Sequence, residues 1–595
     1  VVEVLCGSYY LADYSGRFLL LLHRLLLMSI TDWVVLILTL AGIVVYGVIR
    51  GRGQHDMDSY YLDNRQMPWL VILFSIMGTQ ASAVTFLSGP GQAYTDGMRF
   101  VQYYFGLPLA MVVLCITFVP AFHRLKVYTA YEFLESRFDV KTRVLTSFFF
   151  LLQRGLATGL SIYAPSIILS SLLGWNIYWT NIFMGGLLII YTVSGGAKAV
   201  AYTQKHQFFI ITVGIVIAGF LVVKLLPSGV SFNDALHVSG KLGKLDVIVT
   251  KFDWHDKYNI WSGVIGGFFL ALSYFGTDQS QVGRYLTGRS IAESRTGLLM
   301  NGFVKVPMQF GILLIGALLF TFYQFYEAPV LFNKAQIEQV YNTPYAGELR
   351  QVQQQYQQLG VTKQQQVHNM IQAMHDNNNS REQYWSNALE QSQMQSEQIR
   401  NHAKTVIQKA DPLADTNDTN YIFLYYVLHK LPHGLIGLLI AVIFLAAWGS
   451  ISSALNALAS TTIVDIYKRL FKHEASDKHY LKVSRRSTLG WGIFCIGVAQ
   501  FAHRMGSLIE AVNILGSIFY GTILGVFVVA FYAKKIKATP VFVAALITEG
   551  LVIFVYVLDI VSFLWLNVIG CLGVVIFSYL LQRMALAGGM ESANG

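Results

Sequence analysis

The chain has 595 residues, 54% of them hydrophobic and 13% charged, with a formal net charge of +10. Soluble domains carry about 25% charged residues, and this composition, with its repeated apolar runs of about eighteen residues or more, excludes a soluble globular fold and identifies a polytopic α-helical membrane protein. Most Lys and Arg lie in short loops between apolar segments, so the charge orients the chain in a lipid bilayer and does not mark a nucleic-acid surface.

At the N-terminal end, residues 1–29 hold one apolar run, Phe18 to Leu27, broken by His23 and Arg24 and lacking a small-residue cleavage site. This stretch is left unassigned, with Met28 a candidate first residue. Thirteen candidate spans follow, at 31–50, 68–92, 98–121, 144–173, 176–194, 206–227, 260–277, 299–325, 434–464, 485–502, 507–532, 539–557 and 560–582. Basic loops alternate with them, carrying Arg50/Arg52/Arg65, Arg124 to Arg143, Arg284/Arg289/Arg295, Lys468 to Arg486 and Lys534/Lys535/Lys537. The positive-inside rule makes these cytoplasmic, with the N-terminus outside and the C-terminus inside. Cys115, Cys495 and Cys571 fall inside apolar segments and Cys6 near the start, so no disulfide framework or metal spacing emerges.

Two segments are expected outside the bilayer. Residues 228–259 form a loop of mixed charge, and 327–433 are far longer and rich in Gln and Asn. In the latter, Ile337, Val340, Val352, Tyr356, Val367, Ile371 and Met374 recur at roughly helical spacing, which predicts a polar helical hairpin. Its composition fits partial disorder as well.

Three spans carry the chemistry. Gly78 to Gly91 (GTQASAVTFLSGPG) and Ser273 to Gln281 (SYFGTDQSQ) interrupt two apolar helices with polar and glycine residues. Broken spans at matching places in two five-helix halves point to a secondary transporter with inverted repeats, though a glycine-broken helix is also an ordinary kink. The third, Ala446 to Tyr467 (AAWGSISSALNALASTTIVDIY), gathers small and hydroxyl residues. Such a stripe permits close helix packing; it equally lines a polar cavity where a hard cation such as Na⁺ sheds its water.

At these residues the chain resembles the sodium–solute symporters, over roughly residues 31 to 535. Gln80 to Phe100 looks like the first two core helices of the branch holding the sodium/iodide, monocarboxylate and multivitamin transporters. Ile162 to Gly174 resembles that branch's third helix, Ser194 to Gln207 the fourth-to-fifth helix signature, Ser273 to Ser290 the end of the sixth, and Ser450 to Tyr467 the eighth. The resemblance implies an all-α protein of about thirteen transmembrane helices around a five-plus-five inverted-repeat, LeuT-like core. Residues 30–50 would be an extra helix, 68–228 the first repeat, 260–532 the second with 327–433 inserted, 539–582 two further helices and 583–595 a cytoplasmic tail.

It also implies sites. The coupling ion, Na⁺, would take the carbonyls of Gly78, Ala81 and Ala446 and the side chains at 449 and 450. Residues 446, 449 and 450 do share one helix face. Two departures stand out: Gly449 beside Ser450 replaces the family's paired hydroxyls, and Gln204 followed by Lys205 stands where many members have an Asp. Lys205 is read as a loop residue; the alternative is a cation that replaces Na⁺ by cycling a proton. Solute-lining residues carried over are Gln80, Thr85, Gln102, Tyr103, Tyr274 and Phe275, with Tyr274 either a gating aromatic or ordinary packing.

Charges within spans are expensive in a bilayer and mark function. Arg154 lies near mid-depth of its span and Lys305 lies within NGFVKVPMQF, with Asp278 after the second break. Either the cations snorkel or pair with Asp278, or both face one cavity and favour an organic anion, a carboxylate held by a planar guanidinium. Gln102 and Ala271 stand where the sugar branch has residues that bind sugar hydroxyls, which lowers the case for glucose or galactose. No HExxH, nucleophile elbow, P-loop, paired-carboxylate or selectivity-filter motif is present. The expectation is therefore not an enzyme but a sodium-coupled symporter of a small organic solute. It would sit in the plasma membrane (bacterial inner membrane), with no organic cofactor, no nucleic-acid partner and an undefined oligomeric state. Proton coupling, a sugar or polyol solute, and a transporter-like sensor are the alternatives.

Overall fold

A computed structural model describes residues 28–50, 57–412 and 414–587. The readings made for residues 1–27, including Cys6, for Arg52 and for the end of the tail lie outside the described residues. Every described element is helical. Among these residues, nine helices are long and apolar enough to cross a membrane, or ten with one bent pair. The shorter apolar helices Ile177–Val193 and Ser262–Thr277, with Asp477–Ala499, fill the remaining places among the thirteen expected spans.

The helices relevant to the site are α1 (Ile30–Arg50), α2 (Trp69–Gln80), α3 (Ala83–Asp96), α4 (Val140–Leu173) and α5 (Ile177–Lys224). They are followed by α6 (Gly267–Thr277), α7 (Gln279–Tyr285) and α8 (Ile291–Phe325). Next come α9 (Ala346–His375), α10 (Asn379–Ala410), α11 (Thr419–Lys430), α12 (Leu435–Thr461), α13 (Asp477–Ala499) and α14 (Leu508–Tyr532). Helical hydrogen bonding runs unbroken through α5, where two spans were expected, but α5 is no straight rod. Tyr191 Oη lies 3.2 Å from Thr203 Oγ1, whereas residues twelve apart on a straight helix are about 18 Å apart. The helix therefore bends between them, and its two apolar stretches, Ile177–Val193 and Val200–Lys224, correspond to the two expected spans.

Both expected breaks are present. Helices α2 and α3 meet at a 60° bend, with Ala81 at φ −83°, ψ 76°. Helices α6 and α7 part at Asp278, which is extended at φ −74°, ψ 115° and caps α7 by accepting from Ser280 N at 2.8 Å. Glycine and proline do not set the first break: Gly89, Pro90 and Gly91 lie inside α3. Their task is close approach. A Cβ on Gly91 would sit 1.9 Å from Thr419 O of α11, and one on Gly316 would sit 2.1 Å from Pro90 O, so these positions let α3 seat against α11 and α8.

The Gln/Asn-rich segment is the predicted hairpin. Leu349, Val352, Tyr356, Val367 and Met370 of α9 and Leu389, Ala403, Val406 and Ile407 of α10 are buried, at helical spacing. The turn between them uses Asn377 in the left-handed region (φ 52°), and Asn378 caps α10 by accepting from Arg381 N. Arg400 holds the hairpin to the segment entering α11 through Asp418 at 3.0 Å. Glu382 receives His237 at 2.8 Å and Lys241 at 3.0 Å, which joins the hairpin to the other external segment.

The five basic loops gather at the opposite end. Arg65 donates to Lys126 O at 2.7 Å, Met67 N to Thr287 O at 3.0 Å, Arg137 to Ala533 O at 3.1 Å, and Arg469 pairs with Glu135. One face thus carries the loops that the charge pattern groups together.

Candidate functional site

A partly open cavity lies beside the two breaks. Its wall comes from the α2–α3 break (Gln80, Ser82, Thr85), Tyr103 and Tyr104, α4 (Gln153, Arg154), α6 (Tyr274, Phe275) and α14 (Asn513, Tyr520). Six of the eight residues expected to line a solute site are therefore together: Gln80, Thr85, Tyr103, Arg154, Tyr274 and Phe275.

The other two stand apart. Gln102 is fully buried and committed to the 249–258 segment, donating from Nε2 to Tyr258 O at 2.9 Å and accepting at Oε1 from Val249 N at 3.1 Å. Lys305 is fully buried on α8, with Nζ 5.2 Å from the centre of the Tyr104 ring and no hydrogen-bond partner among the described residues. Two cations do not face one cavity; Arg154 alone does. A span position gives depth but not direction, which is why Lys305 was grouped with Arg154.

Arg154 is 9% exposed and its Nη1 lies 3.5 Å from Asp278 Oδ2, an ion-pair distance at the limit of a hydrogen bond. Asp278 takes its hydrogen bonds elsewhere, from Ser280 Oγ at 2.6 Å and Tyr520 Oη at 2.6 Å. The guanidinium is thus not saturated, and its Nε has no hydrogen-bond partner among the described residues. Oε1 of Gln80 and of Gln153 are likewise buried and unpartnered there. A cavity with one spare-handed guanidinium, two amide acceptors and the Tyr274 and Phe275 rings suits a polar, acidic solute with an apolar portion. Gln153, Asn513 and Tyr520 were not picked out in the sequence. The signal for the last two was faint: Asn513 and Tyr520 are seven residues apart in a largely apolar helix that also carries Glu510, Ser517, Thr522 and Tyr532.

A second, smaller cavity adjoins the first, lined by Thr79, Gln80 and Ser82 at the break, by Ser450 and Ala454 of α12, and by Arg154. The break also changes the backbone hydrogen bonding next to it. Ser82 N donates to Gln80 O and Thr85 N to Ser82 O, so Gly78 O and Ala81 O both lose the helical donor four residues on. Irregular backbone at membrane depth is tolerated where it lines a polar cavity. On α12, Ser450 Oγ lies 2.9 Å from Ala446 O and 3.1 Å from Ala447 O. Gly449 O accepts from Ser453 Oγ and from Gln204 Nε2, each at 2.9 Å. Of the five residues carried over for an ion, Ser450 alone is on the wall of this cavity; Gly78, Ala81, Ala446 and Gly449 are buried beside it and outside its lining.

Comparison with known proteins bears on the family and the fold. The family model described as the sodium:solute symporter family matches residues 60–343 and 403–548, and the unmatched stretch between falls in the α9–α10 hairpin. The sodium-dependent multivitamin transporter of Oryctolagus cuniculus is 27% identical over 84% of this chain and 66% of its own length. A sodium/sialic acid symporter of Aliivibrio fischeri is 24% identical over 93% of both chains. The solved structure of a Na⁺-coupled sialic acid symporter in a substrate-bound, outward-open state superposes with a TM-score of 0.70 at 22% identity, covering 93% of this chain and 98% of that one. The fold is thereby the inverted-repeat, LeuT-like one.

Proposed function

The chain belongs to the sodium:solute symporter family, integral membrane carriers that couple a small organic solute to Na⁺, and from that premise we propose that its solute is an organic carboxylate. The observation that carries this is Arg154, the one cation among the described residues of the main cavity wall, with an unpartnered Nε, a long contact to Asp278 and the Tyr274 ring beside it. A carboxylate binds a planar guanidinium through two parallel N–H donors. The sialic acid symporter among the relatives carries a solute of that class. A sugar without an acid group would leave the free Nε of this guanidinium without an anionic partner.

Gln80, Thr85, Tyr103, Tyr274 and Phe275 complete the solute site in this reading. Gly78, Ala81 and Ala446 offer carbonyls to Na⁺, with Ser450 as the one side-chain ligand from the 449–450 pair. Residues 68–228 and 260–532 are the two repeats that rock about this site, with the basic face cytoplasmic. Arg154 lines both cavities, so the solute and ion sites of this reading are immediate neighbours.

Thermal stabilisation of the purified protein tests this. Carboxylates should raise the melting temperature only with Na⁺ present, and neutral sugars should not. In Ser450→Ala the Na⁺ concentration giving half the stabilisation should rise about tenfold, the loss of about 1.4 kcal/mol of ion binding. An unchanged Na⁺ dependence would remove Ser450 from the ion site.

A further inference from the structure

Gln204 and Gly449, 245 residues apart in the chain, form one contact. Gln204 is fully buried. Its Nε2 lies 2.9 Å from Gly449 O, 2.9 Å from Ser453 Oγ and 3.2 Å from Thr79 Oγ1, while Ser75 Oγ donates to its Oε1 at 2.8 Å. The amide can face only this way, since Gly449 O is an acceptor and would repel Oε1. Ser453 Oγ spends its hydrogen on Gly449 O, and Thr79 Oγ1 spends its own on Ser75 O at 2.8 Å. Three oxygens therefore turn lone pairs toward a nitrogen that has two hydrogens to give.

Oxygen lone pairs converging from two helices are the surroundings of a hard cation; here a neutral amide stands among them. We propose that the Gln204 carboxamide is a built-in substitute for a cation, so that this chain binds one Na⁺ where an acidic side chain at 204 would create a place for a second. The two glycines beside it belong to the same device. A Cβ on Gly78 would stand 3.0 Å from Gln204 Cβ, and one on Gly449 would stand 3.3 Å from Gln204 Cγ and 2.8 Å from Gln207 Oε1. The stem of Gln204 occupies the room that side chains at 78 and 449 would need. The missing hydroxyl at 449 and the missing acid at 204 are then one exchange: an ion and its ligands traded for an amide.

The inference rests on the sodium-site reading above. Its test is equilibrium binding of radioactive Na⁺ to the purified full chain and to Gln204→Asp. Asp is one methylene shorter, which withdraws the side chain by about 1.5 Å, leaves an ion-sized gap and adds a charge that needs a counter-ion. Wild type should saturate at about one Na⁺ per chain and Gln204→Asp at about two. A variant that stays at one while wild type binds one would overturn the inference and leave the sodium site standing. A wild type that binds none would end both. Should Gln204→Asp not fold, the wild-type count still decides, because two ions bound there contradict the substitution by an amide.

Discussion

Arg154→Gln should abolish uptake of a carboxylate solute, by a hundredfold or more, while Na⁺ binding to the protein survives. The size follows from what the guanidinium does. Hydrogen bonds to a charged partner, lost from a buried site, cost about 2–5 kcal/mol when one side is truncated, and about 2.7 kcal/mol already gives a hundredfold. Gln keeps the length and polarity but removes the charge, and it leaves Asp278 with Ser280 and Tyr520 as hydrogen-bond donors. Two measurements separate this from simple unfolding. Na⁺ binding should be retained, and Arg154→Lys, with charge but no planar fork, should recover part of the uptake. Full carboxylate uptake by Arg154→Gln would sink the guanidinium clamp.

The second large effect is expected at the opposite end of α12. Past Thr461 the helix continues as a π-helical stretch, Thr462–Phe471, that carries Asp465 fully buried. Arg143 reaches Asp465 Oδ1 at 2.6 Å and Glu135 Oε2 at 2.7 Å, and Thr129 Oγ1 donates to Asp465 at 2.7 Å. The start of α4, the segment before it and the end of α12 are thus latched together on the basic face. Arg143→Met strands a buried carboxylate, a loss of about 3–5 kcal/mol, and should lower the melting temperature by several degrees. Adding Asp465→Asn removes the stranded charge and should restore most of the loss. If the two substitutions were simply additive, the latch would not be a coupled pair.

The fold was largely legible because lipid imposes length and polarity together. A span must be apolar and long enough, and its exceptions, Gly78 to Gly91 and Ser273 to Gln281, mark the breaks. What pattern could not supply was the exact breaking point. The GPG triplet is the stronger local signal for a break, yet α3 runs straight through it, because those residues serve contact with α11 and α8. Site residues divided the same way. Arg154 and Tyr274, on broken or central helices, face the cavity as expected. Lys305 and Gln102 do not, since direction around a helix depends on neighbours that a single sequence does not display. Gln204 and Gly449 read as two separate departures from the family motif, and only their contact in space makes them one feature.

Uptake into proteoliposomes tests the central claim most directly. With Na⁺ high outside and no proton gradient, a carboxylate solute should accumulate above its external concentration, and collapsing the Na⁺ gradient should stop it. Accumulation driven by a proton gradient alone, indifferent to Na⁺, would contradict the account.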